Sequence, residues 1–254
     1  MGRVLEGFGR AIARYLEKPV AGYEPFTPCD SEALRATLMP GDVLLVEGNN
    51  HISGAIKYLT QSTWSHAALH VGPIEGRCAD TGEPHVLIEA NIGDGVESVP
   101  LSKYVHFHTR VCRPVGLSPE DCRKVCTFAI ERIGLPYDLK NITDLMRYLM
   151  PLPIPQRWRR RMIALGSGEP SRAICSTLIA QAFESVGYPI LPEVRRVDAE
   201  SRREILHIRH HSLYTPRDFD ISPFFAVVKP TIETGFDYKQ MMWDKAAAES
   251  DKTG

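Results

Sequence analysis

A thiol, an imidazole and a carboxylate together make a covalent acyl-transfer catalyst, and the sequence offers one of each in a telling place. Cys175 opens the stretch "CSTLIAQAF". Cys175, Leu178, Ile179, Ala182, Phe183 and Val186 share one helical face, and Gly187 and Pro189 end the pattern. The spacing predicts a helix with Cys175 in its first turn, facing inward. Backbone N–H groups at such a terminus lack intrahelical acceptors and carry partial positive charge. They favour a thiolate over a thiol and can hold a developing oxyanion. An inert core cysteine fits the same position equally well, so this stretch alone does not decide.

A thiol nucleophile needs a base. In "WSHAALHVG" His66 starts a predicted strand, and His70 follows at the same parity. Both point to one face, with Ala67, Leu69 and Val71 on the other. Parity leaves His66 as the first candidate and His70 as the fallback. A third group must orient the imidazole. Glu89 sits in "HVLIEA" (85–90), a strand otherwise made of Val86, Leu87 and Ile88. A carboxylate there is costly unless paired. A histidine held through Nδ1–H would be a suitable partner. An exposed strand end is the alternative reading of Glu89.

The elements that must position these groups follow from periodicity and punctuation. "MPGDVLLVEGNN" predicts a buried strand at 42–47 between turns, and "ISGAIKYL" a short helix through Ile52, Ile56 and Leu59. "STWSHAALHVG" leads into a strand ending at Gly72. "NIGDG" turns the chain so that "VESVP" returns as a hairpin partner, and a further strand covers 108–114. A clear helix begins at the cap Ser118 with Pro119 in first position, and Gly134 stops it. Its apolar stripe includes Cys122, Val125, Cys126, Ala129 and Ile133. A metal site from Cys112, Cys122 and Cys126 lacks a C-x2-C knuckle and reads as core, so no metal is expected. Residues 193–211 are charged and read as solvated. Thr215 caps a short helix before a last strand near 224–228, and the chain after about 240 reads as a frayed end.

Composition sets the outer bounds. The chain has 254 residues, 43% hydrophobic and 24% charged, with a formal net charge of -1. That balance gives no global signal for nucleic acid. No apolar run approaches the roughly 18 residues that span a bilayer. A signal-peptide pattern is not seen, and six cysteines without one suggest free thiols in a reducing compartment. The expectation is a cytoplasmic protein that could touch a membrane peripherally. Two segments bear on that contact. Residues 1–18 have amphipathic helical spacing with arginines interspersed, suited to packing on the domain or lying on an anionic surface. Residues 149–161 run from prolines and apolar groups into Arg157, Arg159, Arg160 and Arg161. The organisation expected is an N-terminal helix and linker over 1–36 and a catalytic domain over 37–230. A flap or insertion interrupts that domain at about 138–172, and a tail follows over 231–254.

Taken together, "GDVLLV", "WSHAALHVG", "VLIEA", "GLPYD" and "CSTLIAQAF" resemble, in this order, the permuted papain-like NlpC-type amidases of the YaeF/YiiX-like branch. There the histidine strand precedes the cysteine helix. The resemblance covers roughly residues 40–230. It implies an α+β fold, a circularly permuted papain-like arrangement with an antiparallel sheet packed against helices and the nucleophile at a helix N-terminus. It assigns Cys175 as nucleophile, His66 as base and Glu89 as orienter. Tyr137 of "GLPYD", with Ser176, takes an oxyanion or substrate-positioning place. Lecithin retinol acyltransferase-like proteins share the permuted order more distantly and act on lipid acyl groups. The implied activity is a cysteine-dependent amidase or peptidase-like hydrolase forming a thioacyl-enzyme on an amide or ester. This chemistry requires no metal or organic cofactor. A lipid-directed acyl hydrolase or acyltransferase at a membrane surface is the alternative, and a non-catalytic binding module the second alternative.

Overall fold

The computed structural model describes residues 31–91, 94–136, 174–196, 204–207 and 214–235. Residues 1–18, Tyr137, the expected flap at 138–172 and the tail from 236 lie outside them. In chain order the described elements begin with helix α1 (Ser31–Thr37), strand β1 (Val43–Val46), helix α2 (His51–Thr60) and strand β2 (His66–His70). Strands β3 (His85–Asn91) and β4 (Gly95–Pro100), a single 3₁₀ turn (Leu101–Tyr104), β5 (Thr109–Pro114) and helix α3 (Pro119–Ile130) follow. The last group is helix α4 (Ile174–Glu184), β6 (Glu193–Arg196), β7 (Glu204–His207), α5 (Pro216–Asp220), β8 (Phe225–Val228) and α6 (Pro230–Glu233).

The α+β expectation holds. Six strands form one sheet in the order β4-β3-β2-β1-β5-β8, with antiparallel neighbours throughout. β1 is "VLLV" because it lies between β2 and β5 and is buried on both faces, which calls for an unbroken apolar run rather than alternation. One face, with Leu45, Leu69 and Ile88, packs beneath α3 and α4 through Val125, Ile179 and Phe183. The other face, with Leu44, Ala68 and Leu87, is covered by Leu34 of α1 and Tyr104 of the 3₁₀ turn. The six-stranded sheet is thus sandwiched, and α4 buries the face read as inward together with Ser176, Thr177 and Ala180.

Punctuation explains the element ends. Asn50 Oδ1 accepts the Ser53 N–H at 2.7 Å to start α2, and Ser118 Oγ accepts the Asp121 N–H at 3.1 Å to start α3. After α3 the chain is tied to β4: Gly134 N–H donates to the Val96 carbonyl at 2.8 Å, and Val96 N–H to the Leu135 carbonyl at 3.1 Å. This close approach requires glycine at position 95, where φ is 79° and a Cβ would stand 2.4 Å from the Leu135 oxygen.

The charged stretch 193–211 contains secondary structure not read from the sequence: a two-stranded antiparallel ribbon of β6 and β7, registering Val194 with Leu206 and Arg195 with Ile205. The apolar residues interspersed there supply strand propensity that the charge density obscured. A smaller shift is that β2 ends at His70, two residues before Gly72. Cys112 and Cys126 are buried, and Cys122 donates its thiol to the Pro40 carbonyl at 3.1 Å. Burial pushes the Cys112 and Cys126 thiols up to about 12, so both are inert protonated groups at neutral pH. Among the described residues no three His, Cys, Asp or Glu side chains converge to hold a metal ion. No described helix is long and apolar enough to cross a membrane.

Candidate active site

The start of β2 is held from three directions. Ser65 N–H donates to the Val46 carbonyl at 3.1 Å, continuing the pairing with β1. Gly48 N–H donates to Ser65 Oγ at 2.9 Å. A side chain at position 48 would stand 2.1 Å from Ser53 Oγ, so only glycine lets the loop after β1 close over this point. Trp64 Nε1 donates to Asp220 of α5 at 3.0 Å, fixing the residue two before His66. Helix α4 packs on β2 and β3 and carries Cys175 as its second residue. His66 and Cys175 thereby line the same cavity of about 320 Å³.

His66 stands between two groups. Its Nε2 lies 3.1 Å from Glu89 Oε2, and it shares a hydrogen bond with the Cys175 thiol. The nitrogen facing the carboxylate is therefore Nε2 and not the expected Nδ1.

Glu89 is fully buried, which corrects the strand-end alternative. A lone buried carboxylate would cost several kcal/mol, so its donors matter. Oε2 accepts the Tyr104 hydroxyl as well as facing His66. Oε1 accepts Lys103 Nζ at 2.5 Å and Asn91 Nδ2 at 2.7 Å. Lys103 and Asn91 also reach Glu97, at 3.2 and 2.5 Å. Burial opposes ionisation of Glu89, but His66 and Lys103 outweigh it and hold the carboxyl well below the usual range. For His66, burial acts against the charged form, yet Cys175 and Glu89 together raise its pKa to about 10. At neutral pH the arrangement is an imidazolium flanked by the Glu89 carboxylate on one side and the Cys175 sulfur on the other. The Tyr104 phenol is pushed well above its usual range by burial and by Glu89, so it stays a donor.

Other sequence candidates separate. His70 is buried at the far end of β2 and does not line this cavity, and its Nδ1 has no hydrogen-bond partner among the described residues. Ser176 is fully buried, and its hydroxyl donates to the Tyr214 carbonyl at 2.9 Å. That fastens α4 to the segment before α5 and leaves the Ser176 side chain off the cavity wall. Tyr137 lies outside the described residues. Sequence reasoning missed Asn91, Lys103 and Tyr104. The available signal was "SKY" just after a hairpin whose neighbouring strand buries a glutamate, since buried carboxylates need donors.

The comparisons with known proteins bear on this arrangement. Residues 37–148 match a family model described as "Permuted papain-like amidase enzyme, YaeF/YiiX, C92 family". A curated relative, the probable lipoprotein peptidase YaeF of Escherichia coli (strain K12), is 22% identical over 170 residues, covering 60% of this chain and 58% of that protein. The chain thus spans somewhat over half the length of that relative. The crystal structure of metalloprotein yiiX from Escherichia coli O157:H7 superposes with a TM-score of 0.46 at 18% identity, covering 75% of this chain and 96% of that one. Over residues 37–148 the chain is similar to the YaeF/YiiX permuted papain-like amidases, which bears out the resemblance read from its motifs. The matched stretch includes His66 and Glu89 and stops before Cys175.

Proposed function

We propose that the protein is a thiol-dependent amidase or peptidase-like hydrolase with Cys175 as nucleophile, His66 as acid and base, and Glu89 as its orienter. The observation that carries this reading is His66 bonded to a fully buried carboxylate on one side and to Cys175 on the other, at the wall of one cavity. In the first half-reaction the Cys175 sulfur bonds to the substrate carbonyl carbon, and the carbonyl oxygen takes up the electron pair. The Cys175 backbone N–H, in the first turn of α4, donates to that oxyanion. Collapse breaks the carbon–nitrogen bond, and His66 gives its proton to the departing amine. Neutral His66 then accepts a proton from water as the water oxygen attacks the thioester. The carbon–sulfur bond breaks, and the thiolate–imidazolium pair is restored.

The cavity has a mixed lining that carries polar groups suited to an amide beside the apolar Val46, Ile56, Ala90 and Phe107. Asn49, Asn50, Ser53 and Asn91 share its wall with Val46 and Phe107, giving polar groups suited to a peptide or a similar amide. The similarity to the YaeF/YiiX amidases points the same way, as does that to YaeF, a probable lipoprotein peptidase. The lipid-directed alternative draws on residues 1–18 and 149–161, which lie outside the described residues.

p-Nitrophenyl acetate tests the reading. The wild-type chain is expected to give a nitrophenol burst and a protein mass increased by one acetyl group, mapped to the Cys175 peptide. Cys175→Ala is expected to keep its melting temperature and lose both signals. An acetyl group that forms elsewhere at the same rate, or no acylation of the wild type, overturns the proposal in favour of a binding module.

A further inference from the structure

The Glu89 carboxylate is held by more than its catalytic neighbour requires, and one of its donors stands out. The Tyr104 hydroxyl donates to Oε2, the same oxygen that His66 Nε2 faces. Its ring also lies against the imidazole, with centroids 5.9 Å apart and planes tilted by 37°. Phe107 packs edge-on to Tyr104 at 5.8 Å, so the phenol itself is fixed. Lys103 and Asn91 occupy only the other oxygen. Lys103 is also partly exposed and shared with Glu97, which makes it the looser contact.

We infer that Tyr104 is a positioning residue for the thiol chemistry, acting through Glu89 to hold His66 in line with Cys175. This rests on the function proposed above and extends it to a cavity-lining tyrosine whose hydroxyl is engaged by Glu89. A carboxylate oxygen that serves His66 alone can swing about the Glu89 side-chain bonds and carry the imidazole with it. A second donor on that oxygen, from a buried and ring-packed phenol, removes the freedom. It also lowers the basicity of Oε2, so the Nε2 proton stays on the imidazole through both half-reactions. Tyr104 spans the His66 ring and the Glu89 oxygen at once, which neither Lys103 nor Asn91 does among the described contacts.

The test is a double-mutant cycle of Tyr104→Phe and Glu89→Gln, read by the p-nitrophenyl acetate turnover of the full chain. Tyr104→Phe removes one oxygen and is expected to fold. Outer partners of this kind set activity by 10-fold or more, so about a 10-fold fall in kcat is expected, with KM within about twofold. In the Glu89→Gln background the same change is expected to have no further effect. A fall in KM alone, an unchanged kcat, or an effect that multiplies with Glu89→Gln overturns the inference and leaves the proposed catalytic set intact. If Glu89→Gln itself leaves kcat unchanged, both the inference and the role of Glu89 fail. A second measurement guards against misfolding. 3-Fluorotyrosine at position 104, a stronger donor of nearly the same shape, is expected to shift the His66 imidazole N–H proton resonance. A resonance that does not move also overturns the inference.

Discussion

Strand β2 carries a histidine at each end, and both sit near a buried carboxylate, yet their surroundings give them opposite properties. At the first end Cys175 lies beside the ring and Glu89 keeps an oxygen for it, and together they outweigh burial, so the imidazole holds its proton. At the other end Asp42 is already taken. Arg113 grips it with two bonds of 2.9 and 2.7 Å, and the Met39 N–H adds a third at 2.8 Å. His70 makes no bond to Asp42, and burial pushes its pKa below the ordinary value despite that charge. A buried carboxylate therefore does not by itself make a nearby histidine basic. At His66 the Cys175 sulfur adds the larger pull, whereas at His70 a guanidinium already holds the carboxylate. Arginine fits both oxygens at once and closes the site, whereas lysine, amide and phenol donors leave one direction open.

The sharpest way to break this contrast is to remove each histidine in turn. His66→Ala is expected to slow acylation by p-nitrophenyl acetate about 1000-fold, the usual scale for a lost acid and base. His70→Gln is expected to leave the rate within about threefold. Equal losses would mean that the two ends of β2 are not distinct. A smaller effect is expected at the first carboxylate: Glu89→Gln should cost about 100-fold in kcat, because the ring stays but its orienter is neutral. Asp42→Asn should instead leave kcat within about twofold while lowering stability. Removing one partner of a buried pair costs 3–5 kcal/mol, and because Arg113 is one-quarter exposed we expect about 2 kcal/mol, read by urea denaturation. Loss of activity without loss of stability in Asp42→Asn would contradict the division of labour.

The smallest effect is in the pH dependence of the melting temperature. His66 is more basic folded than unfolded, so its contribution is fully present below its ordinary value of 6.5 and lost as pH rises through about 10. Glu89 is the reverse: its contribution is present above its ordinary value of 4.5 and lost as pH falls through its depressed folded value. Wild type is expected to plateau between these limits, and Glu89→Gln to lose part of the decline on both sides.

These contrasts also mark what a sequence can disclose. The inward face of α4 was legible because six residues repeat at helical spacing. Glu89 was legible because a carboxylate in "HVLIEA" is expensive without a partner. The choice between His66 and His70 was not, since both have one parity. It rests on which end of β2 meets Cys175 and Glu89, a juxtaposition set by the packing of α4 on β2 and β3. Tyr104 was silent for a similar reason. It lies on a single 3₁₀ turn, too short for any period, and meets Glu89 only because β3 and β4 pair beside it. The β6–β7 ribbon was missed because charged residues mask a strand pattern of only four residues each.

The central claim is that β2 carries one working histidine, charged against Cys175 and Glu89. Its most direct test is an NMR titration of the ring protons of both residues in the full chain. His66 is expected to remain protonated at neutral pH and titrate near 10, falling toward the ordinary value in Glu89→Gln and in Cys175→Ala, while His70 is already neutral. A His66 that titrates in the ordinary histidine range and is indifferent to both substitutions would contradict the account.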